Sequence, residues 1–226
     1  MSSPFLASAE VSAISGGCCK FTKKHIIPAG IQMLFMYKFL PNQPFLLTFT
    51  PNFNNGIMSY NLLKGKRGIV FGALNEKSIA WKVAERAVEE GAAITLSNTP
   101  VAVRMGTVSA LSEKLHCEVI PADATNVEDL ENVFKRSMEI LGGKIDFVLH
   151  AIGMSPNVRK HRTYDDLDYK MLDTTLDISA VSFHKMIQSA KKLDAINEYG
   201  SIVALSYVAA QRTFYGYNDM ADAKAL

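Results

Sequence analysis

From Lys66 onward the chain alternates between short apolar runs and segments of helical periodicity, and that alternation leaves few folds open. The runs are "RGIVFG", "AAITLSN", "CEVIPAD", "KIDFVLHAIG" and "GSIVALS". Each is too short for an ordinary helix and nearly continuously apolar, the pattern of a strand buried on both faces. Between them, "SIAWKVAERAVEEG" has helical spacing and a stopping Gly91, and "TVSALSEKLH" reads as a second helix. Thr125 and Glu128 are spaced as a capping box opening "EDLENVFKRSMEIL", and "ISAVSFHKMIQSAKKLDA" is a long helix before the last run. The arrangement expected is α/β: a doubly wound parallel sheet with helices on both faces and ligands at the carboxyl ends of the strands. No repeat of solenoid length interrupts it.

Residues 1–57 do not conform. "IIPAGIQMLFMYKFLPNQPFLLTFTPNFNNG" is apolar and aromatic but broken by Pro28, Lys38, Pro41, Pro44 and Pro51, so it never supplies the roughly 20 apolar residues of a membrane span. The order of a Ser-rich start, then lysines, then apolar residues fits a signal peptide poorly. An organelle leader, a weak membrane anchor and upstream sequence outside the working protein are the three readings. The last is favoured: Met58 is a plausible start, residues 1–57 are expected to be dispensable, and 58–226 form the working domain. The 226 residues carry a net charge of +2. Residues 1–57 contribute +3 and the rest −1, which makes no electrostatic case for nucleic acid. Cys18, Cys19 and Cys117 form neither a disulfide framework nor a zinc spacing, and no metal is expected. A reduced, cytoplasmic setting is the simplest reading for the body.

The strand ends carry the candidate cofactor residues. The first run ends at Gly72 and a helix opens near Ser78, a place for pyrophosphate on free N–H groups. "GALNEKSIAW" has a single glycine, so the usual GxGxxG fingerprint is absent and Ser78 stands where its hydroxyl could meet phosphate. An ordinary turn with a serine cap is the alternative. Asp123 in "PAD" could accept from an adenine amino group, with Ala124 presenting backbone; a turn role is the alternative. Gly153 in "HAIG" would let the chain approach the nicotinamide ribose. Asn98 and Thr99 end the second run, where an acid would be expected for NAD, and Arg104 lies nearby, so spacing leaves NADH and NADPH both open.

Tyr217 and Lys224 are seven residues apart, two turns of a helix, and so share a face. An ammonium beside a phenol would lower its pKa from about 10 and make it a better proton donor. Tyr207 follows the fifth run, at the expected mouth of the site. Residues merely coating a helix and loop are the alternative.

Taken together, "SIAW" after a single-glycine turn, "HAIGMSP", "DISAVSF" and the Tyr207–Tyr217–Lys224 intervals of ten and seven closely resemble the bacterial enoyl-acyl-carrier-protein reductases. These are divergent, Rossmann-type short-chain dehydrogenases of fatty-acid synthesis. The likeness runs from about Met58 to Leu226. Ordinary members of the superfamily use Tyr-x-x-x-Lys, which this chain lacks at its end. The resemblance implies Gly72, Ser78 and Ile79 at the pyrophosphate, Asp123 and Ala124 at the adenine, and Ala151 and Gly153 on the nicotinamide side. Lys224 would bind ribose hydroxyls. Tyr217 would donate to the thioester carbonyl as hydride reaches the β-carbon of a 2-enoyl chain held on acyl carrier protein. Tyr207 would shape the acyl pocket, with Met154 and Met220 as apolar walls or as plain core. NADH is the commoner donor in that family, while Thr99, where a glutamine is often found, keeps NADPH open.

The family's chain continues past the lysine through further strands, a mobile loop and helix over the acyl site, and much of a homotetramer's contact surface. The sequence therefore reads as truncated, with an apolar sheet edge exposed, and is expected not to run the reaction by itself. A short-chain carbonyl (ketoacyl) reductase and an inactive nucleotide-binding remnant are the rival readings.

Overall fold

The computed structural model describes residues Ser59–Leu226. The readings made for residues 1–57 and for Met58 lie outside the described residues. The elements follow in the order β1 (Arg67–Phe71), α1 (Ile79–Glu89), β2 (Ala93–Asn98), α2 (Pro100–Arg104), α3 (Thr107–Leu115), β3 (Glu118–Pro121), α4 (Val127–Leu141) and β4 (Ile145–His150). Then come α5 (Pro156–Arg159), α6 (Tyr169–Leu176), a π turn (Asp177–Val181), α7 (Ser182–Lys192), β5 (Ile196–Ala204) and α8 (Asn218–Ala225). All five strands are parallel, in the order β3-β2-β1-β4-β5. The order reverses between β1 and β4, the crevice where such sheets take ligands.

The helices cover both faces, as the apolar runs require. Ile69 and Phe71 of β1 pack with Leu130, Val133 and Phe134 of α4 and with Met186 and Ala190 of α7. Val70, pointing the other way, packs with Ala80, Trp81 and Ala84 of α1 and with Val108 and Leu111 of α3. The alanines of α1 keep that helix close to the sheet. Thr95 of β2 turns its hydroxyl toward α4 and meets Ser137 at 2.7 Å, a buried pair in which each group satisfies the other.

Local starts and stops depart from the sequence expectations in three places. The capping box of Thr125 and Glu128 does not form. Asn126 is the cap of α4, accepting from Glu128 N–H at 2.8 Å and Asp129 N–H at 3.1 Å, while Thr125 donates its N–H and hydroxyl to Asp123. The long helix starts at Tyr169 rather than Ile178, because Asp168 accepts from Lys170 and Met171 N–H and opens α6; α6 runs through the π turn into α7. Strand β5 starts at Ile196 and carries a register shift opposite Ile145/Phe147. It lies at the edge of the sheet and is half-exposed along its length, with Val203 47% accessible. Among the described residues no helix is long and apolar enough to cross a membrane.

Candidate active site

The carboxyl ends of β3, β2, β1, β4 and β5 form one edge, and the residues singled out from sequence lie along it in that order. At the end of β1, Gly72 has φ +89°, and a Cβ there would sit 2.2 Å from the Ala151 carbonyl oxygen. Only glycine allows both the backbone angle and the approach. Ser78 caps α1, accepting from Trp81 N–H at 3.4 Å and Leu74 N–H at 3.3 Å, and it donates its proton to the Asn75 carbonyl at 2.7 Å. The hydroxyl is thus committed to the turn. The N–H groups of Ile79 and Ala80 meet no acceptor among the described residues, and the first turn holds no acid. That leaves free donors and the positive end of the helix dipole for an anion.

Next along the edge, Asn98 donates to the Ala73 carbonyl at 2.8 Å and accepts from Thr99 N–H at 2.8 Å, tying the end of β2 to the turn after β1. Thr99 caps α2 through Ala102 N–H at 3.3 Å, and Arg104 is exposed with its Nε on the Pro100 carbonyl. At the end of β3, Asp123 Oδ1 accepts from the N–H and hydroxyl of Thr125, at 2.9 and 2.8 Å, so the turn role is real. Its second oxygen meets no donor among the described residues, and Ala124 is buried beside it. These groups fit a dinucleotide: free N–H donors for pyrophosphate, an open carboxylate oxygen for an amino group, and a glycine turn between them.

On the other side of the crevice, Ala151 N–H donates to the Phe71 carbonyl at 3.2 Å. Lys224 of α8 reaches back over the ends of β4 and β5, donating to the Ile152 carbonyl at 3.0 Å and the Leu205 carbonyl at 2.9 Å. Its Cε and Nζ stand 3.4 Å from where a Cβ on Gly153 would be. One of the three ammonium protons is left for a ligand hydroxyl. Tyr217 occupies the cap position of α8, and its ring stacks on Tyr207 with centroids 4.7 Å apart. Phe214 closes the group edge-on, 5.8 Å from Tyr207 and 6.1 Å from Tyr217. Met220 is buried beneath the Gly153 approach, and Met154 is fixed by its backbone N–H on the Ser179 hydroxyl at 3.0 Å.

The electrostatics correct one expectation. Burial, with the Tyr207 phenol second, raises the Tyr217 pKa above its ordinary value; the Lys224 ammonium does not lower it. Burial lowers Lys224 in turn. The ammonium is spent on two carbonyls rather than on the phenol. Its charge falls on His150 instead, the last residue of β4. Burial first and Lys224 second push this imidazole down to about 4, so it is neutral at ordinary pH. Its Nε2 pairs with the Ser182 hydroxyl at 2.8 Å, its ring meets Phe183 edge-on, and its Nδ1 meets no partner among the described residues.

His150 and Phe214 were not singled out from sequence. Phe214 was the easiest to find, since it falls between two tyrosines already chosen. For His150 the signal is contact across the sheet, which spacing does not carry.

A model of the enoyl-(acyl carrier protein) reductase family matches residues 72–226. An NADH-named enoyl-[acyl-carrier-protein] reductase of Rickettsia bellii is 34% identical over 169 residues, 74% of this chain and 63% of that protein. The crystal structure of FabI from Alistipes finegoldii is 74% identical, with a TM-score of 0.73 over 74% of this chain and 64% of that one; the same protein is also known as a FabI–NADH complex. A Bacillus cereus enoyl-acyl carrier protein reductase solved with NADP+ is 30% identical, with a TM-score of 0.66 over 73% of this chain and 63% of that one. The chain therefore spans a little under two thirds of the length of the relatives it matches. With the family model covering more than half of its residues, the chain belongs to the enoyl-(acyl carrier protein) reductase family.

Proposed function

We propose that residues 59–226 are the cofactor-binding and proton-donating part of an enoyl thioester reductase. Its donor would be NADH and its substrate a 2-enoyl chain carried on acyl carrier protein. The observation that carries the reading is Lys224, held by the carbonyls of Ile152 and Leu205 across the ends of β4 and β5, with Tyr217 at the start of the same helix. Ile79 and Ala80 N–H would hold the pyrophosphate, Asp123 the adenine amino group, and the remaining Lys224 proton a ribose hydroxyl. When bound, the nicotinamide supplies the hydride for the β-carbon. Tyr217 then donates its phenolic proton toward the thioester carbonyl oxygen, stabilising the enolate that forms there. Burial raises its pKa and so makes it a weaker acid than a phenol beside a free ammonium would be, and its proton moves only as negative charge develops on the carbonyl oxygen. Tyr207 and Phe214 bound the space beside it. Thr99, in place of an acid at the end of β2, leaves room for NADPH as well. A cytoplasmic, homotetrameric enzyme accords with this reading.

Titration with NADH, followed by quenching of protein fluorescence, tests the first half, and loss of NADH absorbance with a 2-enoyl thioester tests the second. In the active protein, Tyr217→Phe is expected to lower turnover on the order of 10²-fold or more while NADH affinity holds. A large loss of NADH binding in that variant would overturn the assignment. Reduction of a β-ketoacyl thioester but not of the enoyl one would favour a carbonyl reductase.

A further inference from the structure

Asp219 lies two residues after Tyr217 and is fully buried. Among the described residues it has no lysine or arginine partner. Its carboxylate is held by three neutral donors from elsewhere in the chain. The Ser155 hydroxyl donates to Oδ1 at 2.7 Å and Asn157 Nδ2 to Oδ2 at 2.8 Å; the Thr175 hydroxyl lies 2.7 Å from Oδ2 and shares its single proton with the Met171 carbonyl at 2.8 Å. Each donor has a second tie. Ser155 caps α5 by accepting from Val158 N–H, Asn157 bonds Asp168 at the start of α6 through both ends of its amide, and Thr175 is near the end of α6.

A buried carboxylate without a cation costs more than a well-packed apolar residue, and truncating one partner leaves the charge uncompensated. The return on such a group is positional: its hydrogen bonds are directional, whereas apolar packing lets a helix slide or rotate. Asp219 stands in the first turn of α8, where the helix dipole favours an acid. The loop it grips, through Ser155, is the one whose Ile152 carbonyl receives Lys224.

We propose that Asp219 is a positioning residue whose hydrogen bonds to Ser155, Asn157 and Thr175 fix the rotation of α8, and so hold Tyr217 on Tyr207 and Lys224 over the Ile152 carbonyl. Its bearing on catalysis rests on Tyr217 being the proton donor; the contact itself does not.

The test uses the full chain with isotope-labelled tyrosine, the Tyr217 signals being assigned by their loss in Tyr217→Phe. Ser155→Ala and Thr175→Val each remove one donor without touching either tyrosine. In both, the ring-to-ring cross-peaks of Tyr207 and Tyr217 are expected to be lost, and the Tyr217 phenol to titrate lower, toward its ordinary value. If those cross-peaks and that titration stay as in the parent while only the melting temperature falls, Asp219 is merely structural and the proposal fails. Asp219→Asn, which keeps the shape and one acceptor oxygen, carries the same measurement should either variant not fold. No cofactor or turnover is needed, so the absence of reductase activity would count against the proposed function and not against this contact.

Discussion

Lowering the pH from 7.5 to 5 is expected to destabilise this fold chiefly through His150. In the folded chain the imidazole is held near 4, by burial first and by the Lys224 charge second, against 6.5 when free in the unfolded chain. The unfolded state therefore binds the proton first, and stability is lost as the pH falls from 6.5 toward 4. At about 1.36 kcal/mol per unit, the full depression is worth about 3 kcal/mol, of which about 2 kcal/mol is gone by pH 5. Glu85 acts in a lower window. Burial alone would raise it, but hydrogen bonds from Lys114 and Lys82 hold it at about 2, so its contribution is lost only below 4.5. Urea unfolding at a series of pH values reads the effect directly. With a slope of roughly 2 kcal/mol per molar urea, the midpoint should fall by about 1 M between pH 7.5 and 5. In His150→Gln that fall should largely vanish, whatever the variant's stability at neutral pH. An undiminished fall in His150→Gln, or an imidazole resonance of His150 titrating at 6.5, would refute the reasoning.

Two substitutions test the fold around the site. Gly72→Ala places a Cβ 2.2 Å from the Ala151 carbonyl at a backbone angle of +89°, and should cost on the order of 3 kcal/mol in denaturant unfolding; a cost below about 1 kcal/mol would mean the strand ends separate easily. Phe134→Ala, at a fully buried position of α4, should cost about 3–5 kcal/mol by the same measurement without changing how NADH binds.

Which parts of this protein could be read from sequence follows from how far apart the interacting groups are. "RGIVFG" and "AAITLSN" announce themselves because a strand buried on both faces must be apolar at nearly every position, whatever its neighbours. Ser78 could be chosen as a cap because capping is settled within four residues. Asn126 shows the limit of such reading: Thr125 and Glu128 had the spacing of a box, but Asp123, only two residues before Thr125, takes its N–H and hydroxyl, and spacing does not rank one local pattern above another. The start of α6 at Asp168 was missed because the stretch before it is polar and its tie to Asn157 is a matter of tertiary contact.

The sequence by itself determined the α/β class, the strand ends along which the candidate residues lie, and the placement of Tyr217 and Lys224 at the start and near the end of one helix, because each rests on periodicity or near-neighbour chemistry. Tertiary structure alone decided what those residues do electrostatically. Lys224 is taken up by the carbonyls of Ile152 and Leu205, Tyr217 is raised by burial against Tyr207, His150 is neutral under the Lys224 charge, and Asp219 is buried among three hydroxyl and amide donors. Desolvation and hydrogen bonding depend on which surfaces meet when β4, β5 and α8 close together, and residues separated by 19 to 72 positions carry no spacing that announces it.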